Sequence, residues 1–361
     1  MKNIIPPIFV IVVLGLIGKA CQKPTEFDKQ AMLESIVKSY VLPSYDQLEE
    51  NCINMENACL QFLATPTNTN LVAVQNAWKT TMLTWSSVEM LNFGPGRDNY
   101  RYLRMDNTPT NTNSIENAIQ ATTPIDSAYV AGRSSYTKGI ASIEYLLFGA
   151  GTTSQNLDWY STGLNKERRG AYLLGCIKNL KKLSQELIGE WGTDGTNYGA
   201  TLSQTTNNST SGGIGQFSNA IVHISQTMAR KKLGKPLGKE AVDQLIHPEL
   251  RESLYANFSW EIIQNNLKGV KAIFGDAQQG LGSYLNFVQG NADNANAIHA
   301  KIAELENLMN ARTLSFKDDL VANTAEIEVI YAKTKALYDA LLDDMSSYFS
   351  ITILANPDDG D

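Results

Sequence analysis

"NLVAVQNAWKTTMLTWSSVEMLNFG", residues 70–94, sets the terms for the whole chain. Trp78, Met82, Trp85, Glu89 and Phe93 follow one another at intervals of three and four, the spacing of one helix face. A strand would need alternation at every second residue, and none is present. Gly94-Pro95-Gly96 then stops the helix, because glycine relaxes the backbone and proline cannot continue the hydrogen-bond ladder.

The same period recurs in both directions. Met32, Ile36 and Tyr40, then Leu48, Cys52, Met55, Cys59 and Phe62, mark helix from Glu26 to Leu63, with Pro43 in "YVLPSYDQL" expected to kink or divide it. "SYTKGIASIEYLLFG" is a further helix ended by Gly149, and "NKERRGAYLLGCIKNLKKLSQELIGEW" turns Tyr172, Leu173, Cys176, Leu180, Leu183 and Leu187 inward. Residues 192–213 are polar and glycine-rich and read as a long exposed loop. Beyond it, helical segments resume at "IGQFSNAIVHISQTMARKKLG", "LYANFSWEIIQNNLKGVKAIFG", "NADNANAIHAKIAELENLMNAR" and about 321–354. The expectation is an all-α fold of two tandem antiparallel bundles of the four-helix type, packed together and spanning 26–195 and 211–361.

One hexapeptide repeats in outline. "EMLNFG" (89–94) and "EYLLFG" (144–149) share Glu-x-Leu-x-Phe-Gly, which can bring Glu89 and Glu144 to one depth of a bundle. Glu144 falls among Ile140, Leu147 and Phe148. A carboxylate there must find a partner, keep a proton or line a functional cleft, since a buried unpaired charge is expensive. Arg97, just after the Gly-Pro-Gly stop, is a candidate counter-charge.

Composition narrows the classes. Hydrophobic residues are 43% and charged residues 19%, as in a folded protein, and the net charge of −7 leaves no electrostatic case for nucleic acid. The basic runs "ARKKLGK" (229–235) and "NLKKL" (179–183) read as solvated helix faces. Residues 1–20 have Lys2, an apolar run from Ile4 to Ile17 and Ala20 before Cys21, the plan of a signal peptide of the lipoprotein type. Lipidation of Cys21 would anchor the mature chain to a bilayer in the cell envelope, periplasmic or surface-exposed. Cys52 and Cys59, seven apart on one helix, are too far apart along its axis for a disulfide and read as buried thiols.

The landmarks "VLPSYDQL", "AWKTTMLTWSSVEMLNFGP", "GIASIEYLLFG", "KKLGKPLG", "ESLYANFSWEIIQNNLKGVKAIFG" and the terminal "DDGD" follow one another in an order that resembles the imelysin-like family. That family comprises the insulin-cleaving membrane peptidase and iron-regulated envelope proteins. The resemblance implies two similar helical bundles with a site between them, beside a Gly-x-His-x-x-Glu segment. Gly139 and Glu144 match that segment, and its His falls on Ala141. Glu144 is therefore the only candidate metal ligand that the motif supplies. The resemblance also places Glu252, Ser253 and Tyr255 of "HPELRESLYANF" in the cleft facing Glu144, whereas the residues alone read equally as a helix-capping region.

Three functions compete. The leading one is a non-catalytic envelope binding protein, linked to iron or haem uptake through the resemblance, whose ligand is a small molecule, a metal or an envelope protein. The second is a metallopeptidase of the imelysin type, and the third a structural or docking lipoprotein without a ligand. No His-Glu-x-x-His segment is present, and His223, His247 and His299 read as helix-face or loop residues, so no tightly bound zinc is expected. Replacing Cys21 with Ser should release the protein from membranes. A full-length C21S chain that stays in the membrane fraction would instead identify the apolar run as a retained anchor.

Overall fold

The computed structural model describes residues 26–276 and 279–354, so the leader and Cys21 lie outside the described residues. Every regular element among those residues is helical. No helix among them is long and apolar enough to cross a membrane.

The first half is built on α1 (Lys29–Ile36), α2 (Leu42–Ala64) and α3 (Asn68–Val88). Pro43 does not divide the first stretch. A π-turn at Val37–Val41 joins α1 to α2, the Leu42 N–H reaching back to the Val37 carbonyl. That wider turn gives the proline ring room where an α-turn would bring it against a carbonyl. Short helices α4 (Arg101–Met105), α5 (Thr112–Gln120) and α6 (Ser127–Ala131) lead to α7 (Ile140–Phe148), α8 (Thr153–Ser161) and the long α9 (Lys166–Trp191). α2 packs on both α3 and α9, with Cys52 and Cys59 buried and unpaired in disulfides. Burial pushes both thiols up to about 12, so they serve as small apolar side chains.

The connecting stretch is less exposed than its composition suggests. α10 (Tyr198–Gln204) forms inside it, burying Gly199 and Leu202, and the Tyr198 ring stands edge-on to Trp191 at 4.9 Å. Tyr198 and Leu202 are four apart, enough to give one helical turn an inner face. The second half holds α11 (Gly213–Thr227), α12 (Ser259–Phe274), α13 (Leu281–Gln289), α14 (Asp293–Asn310), α15 (Phe316–Ala322) and α16 (Thr324–Tyr348). The final helical stretch is thus two helices, parted at Asn323. α16 lies against α11 and α14, and α11 against α12.

The two halves share one continuous core, and their principal seam is α3 against α12. Gly269 makes that approach possible. A Cβ there would stand 2.2 Å from the Met90 side chain and 2.4 Å from the Ser87 carbonyl oxygen. The G269A variant should therefore unfold at lower denaturant, losing about 1–3 kcal/mol as overpacked cores do. A Cβ on Gly189 meets nothing within 4 Å. G189A should hold or gain stability by roughly 0.5–1 kcal/mol in the same urea titration, because alanine restricts the unfolded chain.

Candidate functional site

The site begins with α7, whose residues from Ile140 to Leu147 are all buried. Gly139 starts it at φ +84°, and a Cβ there would lie 2.4 Å from the Met105 carbonyl oxygen, so glycine is needed both for the conformation and for the contact. Side chains fix the helix from outside: Trp78 Nε1 donates to the Ile140 carbonyl (2.9 Å) and Gln75 Nε2 to that of Leu147 (2.8 Å).

Glu144 meets the second half of the chain. Its Oε1 accepts from Ser253 Oγ (3.0 Å) and from the backbone N–H groups of Tyr255 (2.9 Å) and Ala256 (2.7 Å). Ser253, itself 6% exposed, sits in the left-handed region at φ +54°, as does Asn257 at +53°. The carboxylate holds that strained turn in place. Burial pushes the Glu144 carboxyl up to about 7 even against those three donors. No donor among the described residues' hydrogen bonds reaches Oε2.

A second group of carboxylates lies alongside. Glu89 at the end of α3, Asp106 just after α4 and Glu252 before the Ser253 turn each offer an oxygen within 4.8 Å of the other two. Lys232 enters from the segment that prolongs α11, a π-helical stretch at Met228–Gly234. It pairs with Glu89 and, at 2.9 Å, with Glu252, and donates to Asn266 Oδ1 at 2.7 Å. Asn266 in turn donates to Glu89 at 2.7 Å. Burial alone would lower the Lys232 ammonium, but the carboxylates of Glu252 and Glu89 outweigh it and hold it above the ordinary range. Asp106 accepts from Trp85 Nε1 at 3.0 Å, while its other oxygen is buried without a donor. Burial, with Glu252 and Glu89 nearby, pushes it up to about 7.

Between these groups is a small cavity of about 10 Å³, room for one water-sized occupant. Asp106, Glu144, Glu252, Ser253 and Ala141 supply part of its wall, with Trp78, Met82, Ile140 and Ile262 as its apolar side.

The sequence expectations fare unevenly against this geometry. Glu144, Glu252 and Ser253 converge on the cavity. Tyr255 contributes its backbone N–H to Glu144, and its ring rests 5.2 Å from that of Tyr145. Glu89 joins through Glu252 and Lys232. Arg97 does not supply the counter-charge: α3 already ends at Val88, before the expected Gly-Pro-Gly stop, and the separate 3₁₀ turn at Gly94–Gly96 carries Arg97 outward, exposed and near Tyr198. That role belongs to Lys232, so "ARKKLGK" is not a wholly solvated face; Lys232 is 4% exposed. Its signal was present, since Lys232 continues the stripe of Ile221, Ser225 and Met228 at four, three and four. Asp106 had no such signal. None of the histidines lines the cavity: His223 contacts the Leu354 carbonyl (2.8 Å), His247 lies between Asp243 and Glu249, and His299 stacks edge-on with Phe274.

The profile of the imelysin family, Peptidase_M75, matches residues 41–346. The chain belongs to the imelysin family. The chain is also 27% identical over 155 residues to iron-regulated protein A of Synechococcus elongatus, a match spanning 42% of each chain. Two solved structures share its fold. An imelysin-like protein from Psychrobacter arcticum superposes with a TM-score of 0.73, and a protein described as an iron-regulated protein A precursor from Parabacteroides distasonis with 0.74. Each is 18% identical, and each superposition covers 91% of this chain and 97% of the other. Of the residues aligned with the Gly-x-His-x-x-Glu segment, Ala141 and Glu144 line the cavity, and Gly139 caps the helix that carries them.

The raised carboxyls carry a sign. A carboxyl that titrates near 7 in the folded chain and near 4 in the unfolded one adds no penalty below about 4 and its whole penalty above about 7. Removing Asp106's charge should therefore stabilise the protein increasingly as pH rises. The difference in urea midpoint, D106N minus wild type, should be greater at pH 8 than at pH 5. A difference independent of pH would mean that Asp106 does not titrate in this window.

Proposed function

We propose that this imelysin-family protein is a non-catalytic binding protein of the cell envelope, carried on a lipid anchor at Cys21, and that its ligand is a hard metal cation. One observation carries the reading: Glu89, Asp106 and Glu252, drawn from three separate segments, present oxygens within 4.8 Å of one another. All-oxygen donor sets suit hard cations, and the cavity beside them matches an ion or a water in size and excludes a peptide side chain. Iron enters through the names of the relatives, which are called iron-regulated.

The residues fit a catalytic zinc poorly. Ala141 offers no ligand where the motif has an imidazole, and the nearby donors are carboxylates opposed by a lysine. Ser253 is a weak nucleophile candidate, because the Glu144 oxygen it donates to already accepts two backbone N–H groups and is not free to act as a base. Cation binding must instead compete with Lys232 and with protons on Asp106 and Glu144.

Titration calorimetry on the chelator-treated protein tests this directly. We expect one hard cation, such as Mn²⁺ or Fe³⁺, per chain, with affinity falling between pH 8 and pH 5.5 as carboxyls near 7 take up protons. The D106N/E252Q variant should lose the binding. Stoichiometric zinc in the natively purified protein, with proteolysis abolished by chelation, would sink the non-catalytic reading.

A further inference from the structure

We infer that the loop preceding α12, residues 241–254, is a docking surface for a protein partner that presents an apolar cleft with a basic rim. Within this short stretch Val242, Leu245, Ile246, Leu250 and Leu254 all have exposed side chains, Val242 completely so. Exposed apolar side chains scattered singly need no explanation, but five on one loop do.

The loop is not a floppy segment that lacks a place for them. Its polar groups staple it from within. The Arg251 guanidinium donates to the carbonyls of Pro248 (2.6 Å) and Leu254 (2.6 Å) and to Asn257 Oδ1 (2.8 Å). His247 is clasped by Asp243 and Glu249, and its backbone N–H donates to the Pro236 carbonyl at 2.8 Å. Gly238, at φ +73°, lets the Leu245 carbonyl approach where a Cβ would stand 2.1 Å from it. A buried Arg251 bonded to the loop's own carbonyls, with apolar side chains outside, is the arrangement of a preorganised epitope, which spends little entropy on binding.

Charge and position select the occupant. The exposed charges of the patch are Asp243 and Glu249, which share His247, with Glu240 and the Lys239–Glu328 pair beside them, an acidic excess. In a symmetric dimer this acidic excess would meet itself, which disfavours a second copy. Anionic lipid is disfavoured for the same reason. Position argues as well against the membrane that the proposed lipid anchor would occupy. The described chain begins beside Phe27, whose ring packs on Tyr284, which packs on Phe349 at the end of α16. The loop lies beside the start of α16, through Lys239–Glu328 at 2.6 Å and Glu240–Tyr331 at 3.1 Å. Tyr331 and Phe349 are separated by about 27 Å of helix. What remains is a protein surface of opposite charge. The same loop supplies Ser253 to Glu144, so the patch and one wall of the cavity belong to one segment.

The surface stands independently of the cation site, and its test uses the whole mature chain. The probe is an amphipathic Lys/Leu helical peptide, with its Glu/Leu counterpart as control, measured by fluorescence anisotropy. We expect the basic peptide to bind the wild type, and to bind V242S/L245S/I246S at least about tenfold more weakly. L60S, changed at an exposed leucine of α2, should bind it as the wild type does. The acidic peptide should bind at least about tenfold more weakly than the basic one, and added salt should weaken the basic one. Equal binding of the basic peptide to wild type and the triple variant would overturn the proposal. So would sedimentation showing a wild-type dimer that the triple variant lacks, or flotation of the unlipidated chain with phosphatidylglycerol vesicles that the triple variant loses.

Discussion

The hydrogen bonds that converge on Glu144 Oε1 hold the rest of the site together. α7 is buried from Ile140 to Leu147, so its carboxylate can be satisfied only by groups brought to it. The chain brings a hydroxyl and two backbone N–H groups from the turn before α12, more than a hundred residues away. That turn needs two residues in the left-handed region, Ser253 and Asn257, and the carboxylate offsets their cost. The position of Glu252 follows, since it precedes Ser253 directly. Through Glu252 the geometry reaches Lys232, Glu89 and Asp106.

Electrostatics then decides what the arrangement can do. Four carboxylates and one ammonium share a poorly solvated space, and they cannot all be ionised at little cost. Lys232 keeps its proton, and the carboxyls of Asp106 and Glu144 are pushed up to about 7. A site that holds surplus protons near neutrality exchanges them for a cation readily. The small cavity beside these groups is what supports the proposed ion over an organic ligand.

Much of the fold was legible because helix period is a local property. The stripes through Trp78 and Met82, through Cys52 and Cys59, and through Leu180 and Leu183 all turn inward. The departures have local causes: the π-turn that absorbs Pro43, the single turn at Tyr198–Gln204 and the break at Asn323. The site was legible only in part. Glu89 and Glu144 stand out as acids on apolar faces, and Lys232 lies on an apolar stripe that its basic neighbours disguised. Glu252, Ser253 and Tyr255 sit on an irregular turn with no period to read, so only the resemblance pointed to them. Asp106 gave no sign at all, and Arg97 was misplaced because α3 ends at Val88 and the direction of the irregular chain beyond it is not encoded in the spacing.

The most direct measurement is an anomalous difference map from crystals grown with Mn²⁺ and measured near the manganese edge. The account predicts one peak bounded by the carboxylates of Glu89, Asp106 and Glu252, with the Lys232 ammonium displaced from its bridging position. A map with no peak among these three residues, and Lys232 still bridging Glu89 and Glu252 at saturating Mn²⁺, would contradict it.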